Sequence, residues 1–526
     1  MGDETIIFNI VQRNEIGLMS NPDVFNAIPI GRYRKCCGLS TIYLKTTSQR
    51  GIVLDYLMMD GSHAFSTVEY EDESFSIDIT DGEMLFVRSC DDSSLEGYVY
   101  VKDCKLRDIS IGHVVCTFHR EVQVTEKIEA LSELKLPGYR LYVIDNGCTL
   151  DPIDEPDLTV VHSPNLGGSG GFANGMIHSL EDGCDYIILN DDDAIVTKES
   201  VFRFIMFLKM IEQDYYDHCF AGVMMDFNHP DVVYEAGAAV MDGRLIPRKN
   251  GLDLSCSDNL SELILDERID YSNWTFACFP SRVVREHGFP LPLFVREDDV
   301  EYGIRVNGPI MIFPGLYVWH PTYVDSFSTS NYYYYARNRM AALACNGKLD
   351  GAFIDKLFRE MAVEVSAYRY GCCEEMMFGV YDFLSGPEYL FNLCRGDRHH
   401  SKMPALFELD LLRNQIRVTG YRPRRGFALR KWTLNGVFFP SVGDIETTPF
   451  DVDSADFYRI GKVLYRVGDK GFIAKRNRSK AVVMAVRVSL LKWRTKKEVN
   501  RVAIEYKESM PKYSSIGFWR EMLDSN

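Results

Sequence analysis

Residues 185–196 read DYIILNDDDAIV, an apolar run followed by three consecutive aspartates. The apolar part predicts a buried β-strand that ends at the aspartates. Like charges about 4 Å apart repel by roughly 1 kcal/mol even in water, so the triplet requires compensation. Because side chains two positions apart on an extended chain point the same way, Asp191 and Asp193 can share a face and bind a divalent cation, with Asp192 turned away. The alternative is a solvated acidic turn that caps the next helix.

The segments around this strand alternate between strand and helix patterns. Apolar runs at ISIGHVVCTFH and YRLYVIDNG predict strands, and the stretches VTEKIEALSEL and KESVFRFIMFLKMI predict helices. This alternation is typical of an α/β unit with a mostly parallel central sheet, which binds ligands at the carboxyl ends of its strands. We therefore expect an α/β domain over residues 106–346.

The two flanking regions have other patterns. Residues 1–105 consist of short β-branched and aromatic runs separated by turn formers, which predicts an N-terminal β-sandwich. Residues 347–526 are mainly helical in pattern, with amphipathic helices predicted between 352 and 386. The chain is thus expected to have three domains.

The composition argues against several classes of protein. A net charge of −17 is unsuited to general nucleic-acid binding. No apolar run is long enough to predict a transmembrane helix, and the N-terminus lacks the basic-then-apolar order of a signal peptide. The 14 cysteines include no CxxC pair, which argues against a zinc site and fits free thiols. We therefore expect a cytoplasmic protein.

A basic segment near the C-terminus contrasts with the acidic body. Between Lys462 and Lys512, 15 Lys and Arg residues stand against 4 Asp and Glu residues. Within it, SKAVVMAVRVSLLKWRTKKE places Leu490, Leu491 and Trp493 on a predicted apolar patch flanked by basic side chains. This pattern favours peripheral contact with an anionic lipid surface. A basic helix packed on the acidic body is the alternative.

A glycine-rich stretch, NLGGSGGFAN at 165–174, precedes a helical pattern. The backbone amides of Gly167, Gly168 and Gly170 can then approach phosphate or sugar oxygens at the helix N-terminus. The stretch matches neither GxGxxG nor a Walker loop. A flexible surface loop is the alternative.

Polar residues also follow the first two predicted strands of the α/β region. CTFHR ends the first strand at Arg120, and DNG at 145–147 ends the second. Since such strand ends face the ligand crevice of an open sheet, Asp145 can accept hydrogen bonds from a base or ribose and Arg120 can contact a phosphate. A plain turn and a surface ion pair are the respective alternatives.

A second acidic cluster occurs in PLFVREDDVEYG at 292–303, and a histidine ends the predicted strand LYVWHP. A poorly solvated carboxylate in the cluster, near a metal, can act as a general base, although acids are also common in the first turn of a helix. A lone histidine is usually structural. With two aspartates, however, His320 completes a plausible Mn²⁺ or Mg²⁺ ligand set.

Aromatic residues provide a further candidate surface. The run NYYYYARNRM at 331–340 predicts a helix that buries Tyr333, Arg337 and Met340 on one face. Together with Trp274 and Tyr323, the tyrosines can form the flat stacking surface that carbohydrates prefer. Packing in the core is the better interpretation for at least two of the four tyrosines.

In this order, the pieces resemble those of inverting nucleotide-sugar glycosyltransferases of the GT-A type within family 2. The closest resemblance is to the polymerising galactofuranosyltransferases that build bacterial galactan. The matching pieces span about residues 108–340 and are CTFHR, DNG, NLGGSGGF, NDDD, the tryptophan of SNWTFACFP, REDDVEYG, WHP and YYARN. The β-rich front and the helical rear are similar to that family's flanking domains more loosely.

The resemblance implies a role for each matching residue. Asp191, Asp193 and His320 would hold Mn²⁺ or Mg²⁺ on the diphosphate. Asp299 would deprotonate the acceptor hydroxyl, and Asp298 would orient the acceptor sugar. The other implied contacts are the nucleotide or donor for Arg120, Asp145, Asn165, Asp192 and the glycines, and the acceptor channel for Trp274 and Tyr323.

The chain departs from the family pattern on the acceptor and sugar side. Glu297 stands where the family often has tryptophan, Tyr323 replaces a second tryptophan, and Tyr335 replaces a histidine. A pair of tryptophans is reduced to Trp274 alone. The metal and nucleotide contacts are therefore better supported than the identity of the sugar.

The resemblance implies a UDP-galactofuranose-dependent transferase that extends a surface glycan on a lipid-linked acceptor. Such an enzyme would work in the cytoplasm, peripherally at the inner face of the cell membrane, and a homo-oligomer is left open. A rhamnosyl-, glucosyl- or galactopyranosyltransferase on the same scaffold is the alternative enzyme. The alternative from another class is a relict carbohydrate-binding or assembly protein.

Overall fold

The computed structural model describes residues 4–11, 17–46, 51–68, 74–90, 95–241, 243–322, 327–393, 405–418, 433–450 and 454–524. Its elements form a β-rich N-terminal region, a central α/β region, and a C-terminal region of helices with one small sheet. Tyr323 lies outside the described residues. The exact domain boundaries stay predictions.

The N-terminal region contains two sheets, with strand orders β1-β7-β2-β5 and β4-β3-β6. Arg203 of the central region anchors it, because this buried guanidinium donates to Phe25 O at 2.7 Å and to Asn26 Oδ1 at 3.2 Å. The elements are β1 (Glu4–Ile10), α1 (Pro22–Phe25), α2 (Ile30–Cys37), β2 (Thr41–Thr46), β3 (Ile52–Leu57), β4 (His63–Val68), β5 (Ser74–Asp78), β6 (Met84–Ser89) and β7 (Gly97–Lys102).

The central region is built on a ten-stranded sheet with helices packed against it. Its strands are β8 (Ile111–Thr117), β9 (Tyr139–Asp145), β10 (Ile153–Asp154), β11 (Leu158–His162), β12 (Tyr186–Asp191), β13 (Ile195–Val196), β14 (Cys219–Asp226), β15 (Val233–Glu235), β18 (Ala277–Pro280) and β19 (Ile310–His320), beside the hairpin β16 (Ala238–Met241) and β17 (Arg244–Pro247). The helices are α3 (Glu121–Ser132), α4 (Gly167–Glu181), α5 (Lys198–Met210), α6 (Leu260–Leu263), α7 (Ser281–His287), α8 (Asp298–Val306) and α9 (Ser330–Cys345).

The order of the central sheet is β10-β11-β9-β8-β12-β18-β14-β19-β13, with β15 on β14. The four neighbours β11, β9, β8 and β12 are parallel. Beyond them the sheet is mixed, because β18 inserts antiparallel between β12 and β14, while β14 and β19 are parallel. The predicted α/β class is confirmed, and the parallel half carries the motifs from which it was predicted.

The C-terminal region combines helices with a four-stranded sheet of order β20-β23-β22-β21. The small sheet was not predicted from the sequence. The elements are α10 (Gly351–Ser366), α11 (Tyr370–Leu384), α12 (Pro387–Asn392), β20 (Phe407–Glu408), α13 (Leu409–Arg413), β21 (Gly443–Thr447), β22 (Ile460–Val467), β23 (Lys470–Lys475), α14 (Arg478–Tyr513) and α15 (Ile516–Asp524).

Helix α9 connects the central region to the C-terminal region. Ala336, Met340 and Leu343 of α9 are buried in one cluster with Leu357 of α10 and Met376 of α11. The face of α9 that contains Met340 is therefore buried, as predicted, and it packs in the core of the C-terminal helical region. As a result, the tyrosine run that begins α9 serves packing, with Tyr333 and Tyr334 buried.

Helix α14 spans the basic segment. Ala481, Met484 and Leu491 face the helical core, whereas Leu490 and Trp493 are 63% and 64% exposed. The prediction that Leu491 joins the exposed patch is wrong, because adjacent residues on a helix point about 100° apart around its axis. Among the described residues, we find no helix with the length and apolar character needed to cross a membrane.

Candidate active site

Strand register brings the predicted motifs to one edge of the sheet. Asp191 at the end of β12 lies opposite Cys116 of β8. Thr117, which ends β8, lies opposite Asp145 of β9. Three motifs far apart in the sequence therefore end at the same level, at the carboxyl edge of the parallel strands.

His320 reaches the aspartates through a short strand pairing. After the triplet, the chain enters β13, and Ile195 pairs with Trp319 at the end of β19. This register places His320 Nε2 3.0 Å from Asp193 Oδ1. Asp191, Asp193 and His320 each offer one ligand atom, and these atoms all lie within 4.8 Å of one another. We call these three residues the metal-binding trio.

The middle aspartate of the triplet has other partners. Asp192 accepts a hydrogen bond from Thr117 Oγ1 at 2.8 Å and one from Arg120 Nη1 at 3.1 Å. Arg120 also forms an ion pair with Asp193. The outer aspartates lie together, as expected for an extended chain, but Asp192 is not separate from them, because Nη1 of Arg120 contacts both Asp192 and Asp193.

The two carboxylates of the metal-binding trio differ in how well nearby positive groups compensate their negative charges. Burial and the nearby Asp193 carboxylate raise the pKa of Asp191 to about 7. Burial alone would also raise the pKa of Asp193, but His320 and Arg120 hold this pKa well below its usual range. Asp191 is therefore the carboxylate whose negative charge is least compensated, and a cation would supply what is missing. Two carboxylate oxygens and one imidazole nitrogen are suitable ligands for Mn²⁺ or Mg²⁺.

One cavity of about 580 Å³ contains both acidic clusters. Its lining includes the whole trio together with Asp298 and Asp299 at the start of α8. Ser169 Oγ donates to Asp298 Oδ2 at 3.0 Å, which connects the glycine-rich stretch to the second cluster. A metal site and a potential base therefore open into the same space.

The loop that presents this second cluster is held in an uncommon backbone conformation. Phe294, Arg296 and Glu297 have φ values of 74°, 63° and 68°, in the left-handed region that side chains other than glycine rarely adopt. Asn338 of α9 fixes the loop, because its amide donates to the carbonyls of Leu293, Val295 and Arg296 at 2.8–3.0 Å. The YYARN motif thus supports the acidic cluster from behind.

Replacing this amide is expected to destabilise the protein. In Asn338→Ala, the carbonyls of Val295 and Arg296 lose the Asn338 donor, whereas Leu293 O keeps Arg337 Nη2, and we expect the free energy of unfolding to fall by about 1–3 kcal/mol. Urea unfolding followed by circular dichroism measures the change. The exposed Asn414→Ala is the matched control, expected to shift the free energy by less than about 0.5 kcal/mol. Equal effects of the two variants would contradict the role given to Asn338.

Glu297 also has a structural partner. Its carboxylate forms a two-pronged ion pair with Arg339 of α9, in which Nη2 lies 2.8 Å from Oε1. Both side chains are buried. The family that the sequence resembles often has tryptophan at the position of Glu297. In this chain, the ion pair between Glu297 and Arg339 connects the acidic loop to α9 instead.

Burial raises the pKa of both carboxyl groups of the second acidic cluster, Asp298 and Asp299. Burial raises the pKa of Asp298 to about 6, even though Ser169 and backbone amides stabilise the ionised form. Burial and repulsion from Asp298 and Glu297 raise the pKa of Asp299 well above its usual range. A carboxylate with a raised pKa binds a proton more strongly once it is ionised, and this is a property that a general base requires.

The Asp298→Asn variant is expected to be more stable than the parent above pH 6. Since folding raises this pKa from 3.8 to about 6, the folded state binds more protons than the unfolded state between these values, and ionisation above pH 6 opposes folding. We expect the free energy of unfolding of Asp298→Asn to exceed that of the parent by about 2 kcal/mol at pH 7.5, and this difference should shrink as the pH falls from 6 to 4. Urea unfolding without metal or donor measures it, and a difference that grows toward low pH would contradict the assignment.

Sequence reasoning missed several residues that line the cavity, among them Glu235, Tyr271 and Asn273. Glu235 at the end of β15 lines the cavity with Tyr271 and Asn273, and Asn273 Nδ2 donates to Glu235 Oε1 at 2.8 Å. Burial raises the pKa of Glu235. An acid that ends the apolar run VVYE is the same signal used for the aspartate triplet, and it would have found this residue.

Trp274, which was predicted to line the acceptor channel, lies in the cavity that contains both acidic clusters. Its ring meets Phe172 edge to face, with centroids 5.1 Å apart. Among the residues that the structure describes, the buried indole Nε1 has no hydrogen-bond partner.

Several predicted donor contacts do not line the cavity. Asp145 is fully buried, and its carboxylate accepts from the backbone N–H groups of Gly147, Thr149 and Leu150 at 2.6–2.8 Å. Asn165 Oδ1 accepts from Gly167 N at 3.1 Å. These two side chains shape the turns after the strands, and their predicted donor contacts stay predictions.

The glycines have a packing function as well. Gly167 has φ +70°, and a Cβ there would lie 2.0 Å from Phe294 O. A Cβ at Gly170 would lie 2.2 Å from Leu166 Cβ. Of the three glycines predicted to meet the donor, Gly168 lines the cavity and these two do not.

The mixed α/β sheet and the shared cavity at its carboxyl edge are the features that the predicted glycosyltransferase class requires. Residues 113–258 match the model of glycosyl transferase family 2, so the chain contains a domain of this family. The family predicted from the motifs is thereby confirmed. The match includes the triplet and Glu235, whereas His320 and the second acidic cluster lie beyond it.

Curated relatives include two mycobacterial galactofuranosyltransferases. GlfT2 of Mycolicibacterium smegmatis is 24% identical over 409 residues, which cover 70% of this chain and 62% of that protein. GlfT2 of Mycobacterium tuberculosis is 27% identical over 258 residues, 45% of this chain and 40% of that protein. The chain thus spans less than two thirds of the length of these relatives. The resemblance to galactofuranosyltransferases is confirmed.

Solved structures show only distant similarity. S. aureus TarS 1–349 in complex with UDP matches with a TM-score of 0.31 and 15% identity, covering 47% of this chain and 68% of that chain. The mannosyltransferase PcManGT from Pyrobaculum calidifontis in complex with GDP-Man and Mn²⁺ matches with a TM-score of 0.32 and 13% identity, covering 56% and 82%. At these scores, neither match bears on the reaction.

Proposed function

We propose that the chain is an inverting, metal-dependent glycosyltransferase that transfers galactofuranose from UDP-galactofuranose to a hydroxyl group of a glycan acceptor. The observation that carries this proposal is the shared cavity, which brings the metal-binding trio and the Asp298–Asp299 pair together. A relict binding protein has no need to keep both sets in one space. The choice of donor sugar is supported by the relatives.

Asp191, Asp193 and His320 would hold Mn²⁺ or Mg²⁺, which when bound neutralises charge on the leaving diphosphate. Arg120 is 43% exposed at the rim of this group and would contact the donor phosphates. For Asp145 we propose a role in shaping the turn after β9, which positions the backbone next to the proposed donor site.

The acceptor side would be arranged by the second cluster. Asp299 would take the proton from the acceptor hydroxyl as the new bond forms, and Asp298, oriented by Ser169, would position the acceptor sugar. Trp274 would donate from its unpartnered indole N–H or stack against the sugar. A single displacement from the face opposite the diphosphate inverts the anomeric carbon.

A donor screen tests this function. The full chain is incubated with Mn²⁺, a galactan-type acceptor and, in separate reactions, UDP-galactofuranose, UDP-galactopyranose, UDP-glucose or dTDP-rhamnose. We expect acceptor-dependent product from UDP-galactofuranose, at least tenfold faster than from the others. Faster transfer from another sugar nucleotide would overturn the donor, and binding of all four without turnover would overturn catalysis.

We also propose that α14 provides peripheral contact with a membrane that carries a lipid-linked acceptor. Val483, Val486, Leu490 and Trp493 are more than half exposed, and their spacing of three and four positions places them on one helical face. Lys497 Nζ lies 4.7 Å from the centre of the Trp493 ring. An apolar face with basic flanks fits an anionic lipid surface.

The double variant Leu490→Ser, Trp493→Ser is expected to weaken this contact. Loss of two exposed apolar anchors should reduce flotation of the chain with anionic vesicles by at least fivefold. Phe65→Ser, which removes an apolar side chain that is 66% exposed elsewhere, is the control. Undiminished flotation of the double variant would rule out this face as the anchor.

A further inference from the structure

A second cavity, of about 200 Å³, lies between α2 of the N-terminal region and the segment that follows α6. Six charged side chains line it: Arg32, Lys35, Arg248, Lys249, Asp266 and Glu267. None of them lines the cavity that contains the metal-binding trio. The second cavity is therefore a separate feature.

Cationic groups outnumber carboxylates in this cavity. Asp266 is shared by Arg32 Nη2 at 2.6 Å and Lys35 Nζ at 2.8 Å. Glu267 likewise pairs with two cations, Lys249 Nζ at 2.9 Å and Arg248 Nη1 at 3.8 Å. Because each carboxylate serves two cations, the group retains a positive formal charge. A small anion is the ligand that would balance it.

Two buried nitrogen atoms of the lining have no hydrogen-bond partner within the part of the chain that the structure describes. These are Nε of Arg32 and Nδ1 of His218. The Arg32 side chain is only 10% exposed, and that of Lys249 is 7% exposed. Buried donors are normally satisfied, so the Arg32 N–H has room for one further acceptor in addition to the Asp266 carboxylate that its Nη2 contacts.

We propose that this cavity is a binding site for a small phosphate-bearing anion. A phosphate group combines a charge near −2 at neutral pH with several acceptor oxygens, which matches the positive cluster and the free Arg32 Nε. Arginine and lysine together are the usual protein partners of phosphate. The inference does not rest on the proposed glycosyl transfer, since it concerns other residues.

The second cavity lies directly behind a wall of the first. Glu235 lines the first cavity and the next residue, Ala236, lines the second. In the same way, Asn250 lines the first and Lys249 lines the second. Ala236 N donates to Arg248 O at 3.0 Å and holds the two segments together. A bound anion would therefore contact the backbone that carries Glu235 and Asn250.

Binding of inorganic phosphate to the full chain tests the proposal. Calorimetric titration in EDTA compares the parent with two cavity variants, Lys249→Gln and Arg32→Lys. The second keeps its charge but removes the Nε donor, and it serves if the first fails to fold. Arg120→Gln in the first cavity and Arg413→Gln, from an exposed ion pair with Glu446, are the controls. We expect saturable binding that each cavity variant weakens at least tenfold and each control changes less than twofold.

The source of the phosphate is distinguished with vesicles of phosphatidic acid, and for this comparison both the parent and Lys249→Gln carry the Leu490→Ser and Trp493→Ser changes, so that helix α14 does not hold the vesicles. Binding of free phosphate identifies a soluble anion. Vesicle binding that is lost in Lys249→Gln identifies a lipid headgroup in the same site. Absence of saturable binding of either probe, or binding that is lost only in Arg120→Gln, would overturn the proposal.

Discussion

Asp299→Asn is expected to abolish glycosyl transfer while leaving metal and donor binding intact. The change keeps the shape of the side chain and removes its ability to accept a proton. Loss of a general base costs on the order of 10²–10⁴-fold in rate, and we expect kcat to fall by about 10³-fold. Initial rates with UDP-galactofuranose and calorimetric titration of the donor with Mn²⁺ measure the two properties separately.

Asp410→Asn is the matched control for Asp299→Asn. Its side chain is 96% exposed on the short helix α13, so the same chemical change should leave the rate within a factor of two. A rate for Asp299→Asn close to that of this control would exclude Asp299 as the base. If donor binding fell together with the rate, the residue would serve the donor and not the acceptor proton.

Asp191→Asn is expected to lower the affinity for Mn²⁺ at least 100-fold and to reduce transfer by about 10³-fold. Asp191 is the member of the trio whose charge is least compensated, since burial and Asp193 raise its pKa to about 7. Replacing it removes both a ligand oxygen and the charge that attracts the cation. Several kcal/mol of stabilisation depend on a catalytic metal, and each 1.36 kcal/mol is tenfold in rate. Electron paramagnetic resonance of free Mn²⁺ gives the affinity.

Asp192→Asn separates a ligand effect from a general loss of charge. Asp192 belongs to the same triplet, but its oxygens accept from Thr117 and Arg120. We expect less than a tenfold loss of Mn²⁺ affinity. Equal losses in the two variants would mean that the cation responds to the field of the triplet and is not held by the trio. Chelation by EDTA should stop transfer by the parent, and added Mn²⁺ should restore it.

Much of the central region could be predicted because its signals are local. A buried parallel strand needs a continuous apolar run, and its carboxyl end needs polar residues if it binds a ligand. YIIL followed by the triplet contains both signals. His320 was predicted as a ligand because it ends a strand, and the resemblance implies the same role, but no local pattern predicts the pairing with the two-residue strand β13 that brings it beside the triplet.

Other features depend on contacts that no local pattern encodes. The antiparallel insertion of β18 depends on pairing across about 90 residues with β12. The support of the acidic loop by Asn338 depends on three carbonyls some 40 positions earlier. The glycine-rich stretch was interpreted as a phosphate-binding segment. Gly167 and Gly170 are also needed for packing, because a Cβ at either position would clash with Phe294 or Leu166.

The attachment of the acidic loop to α9 has a consequence for protein engineering. A fragment cut to the family-matching residues would lack the proposed base, and one extended to residue 346 would include it but leave the apolar face of α9 without α11 and α14. Such a fragment could retain every side chain named in the reaction and still misplace the base. The smallest autonomous catalyst therefore has to include the rear helices as a scaffold.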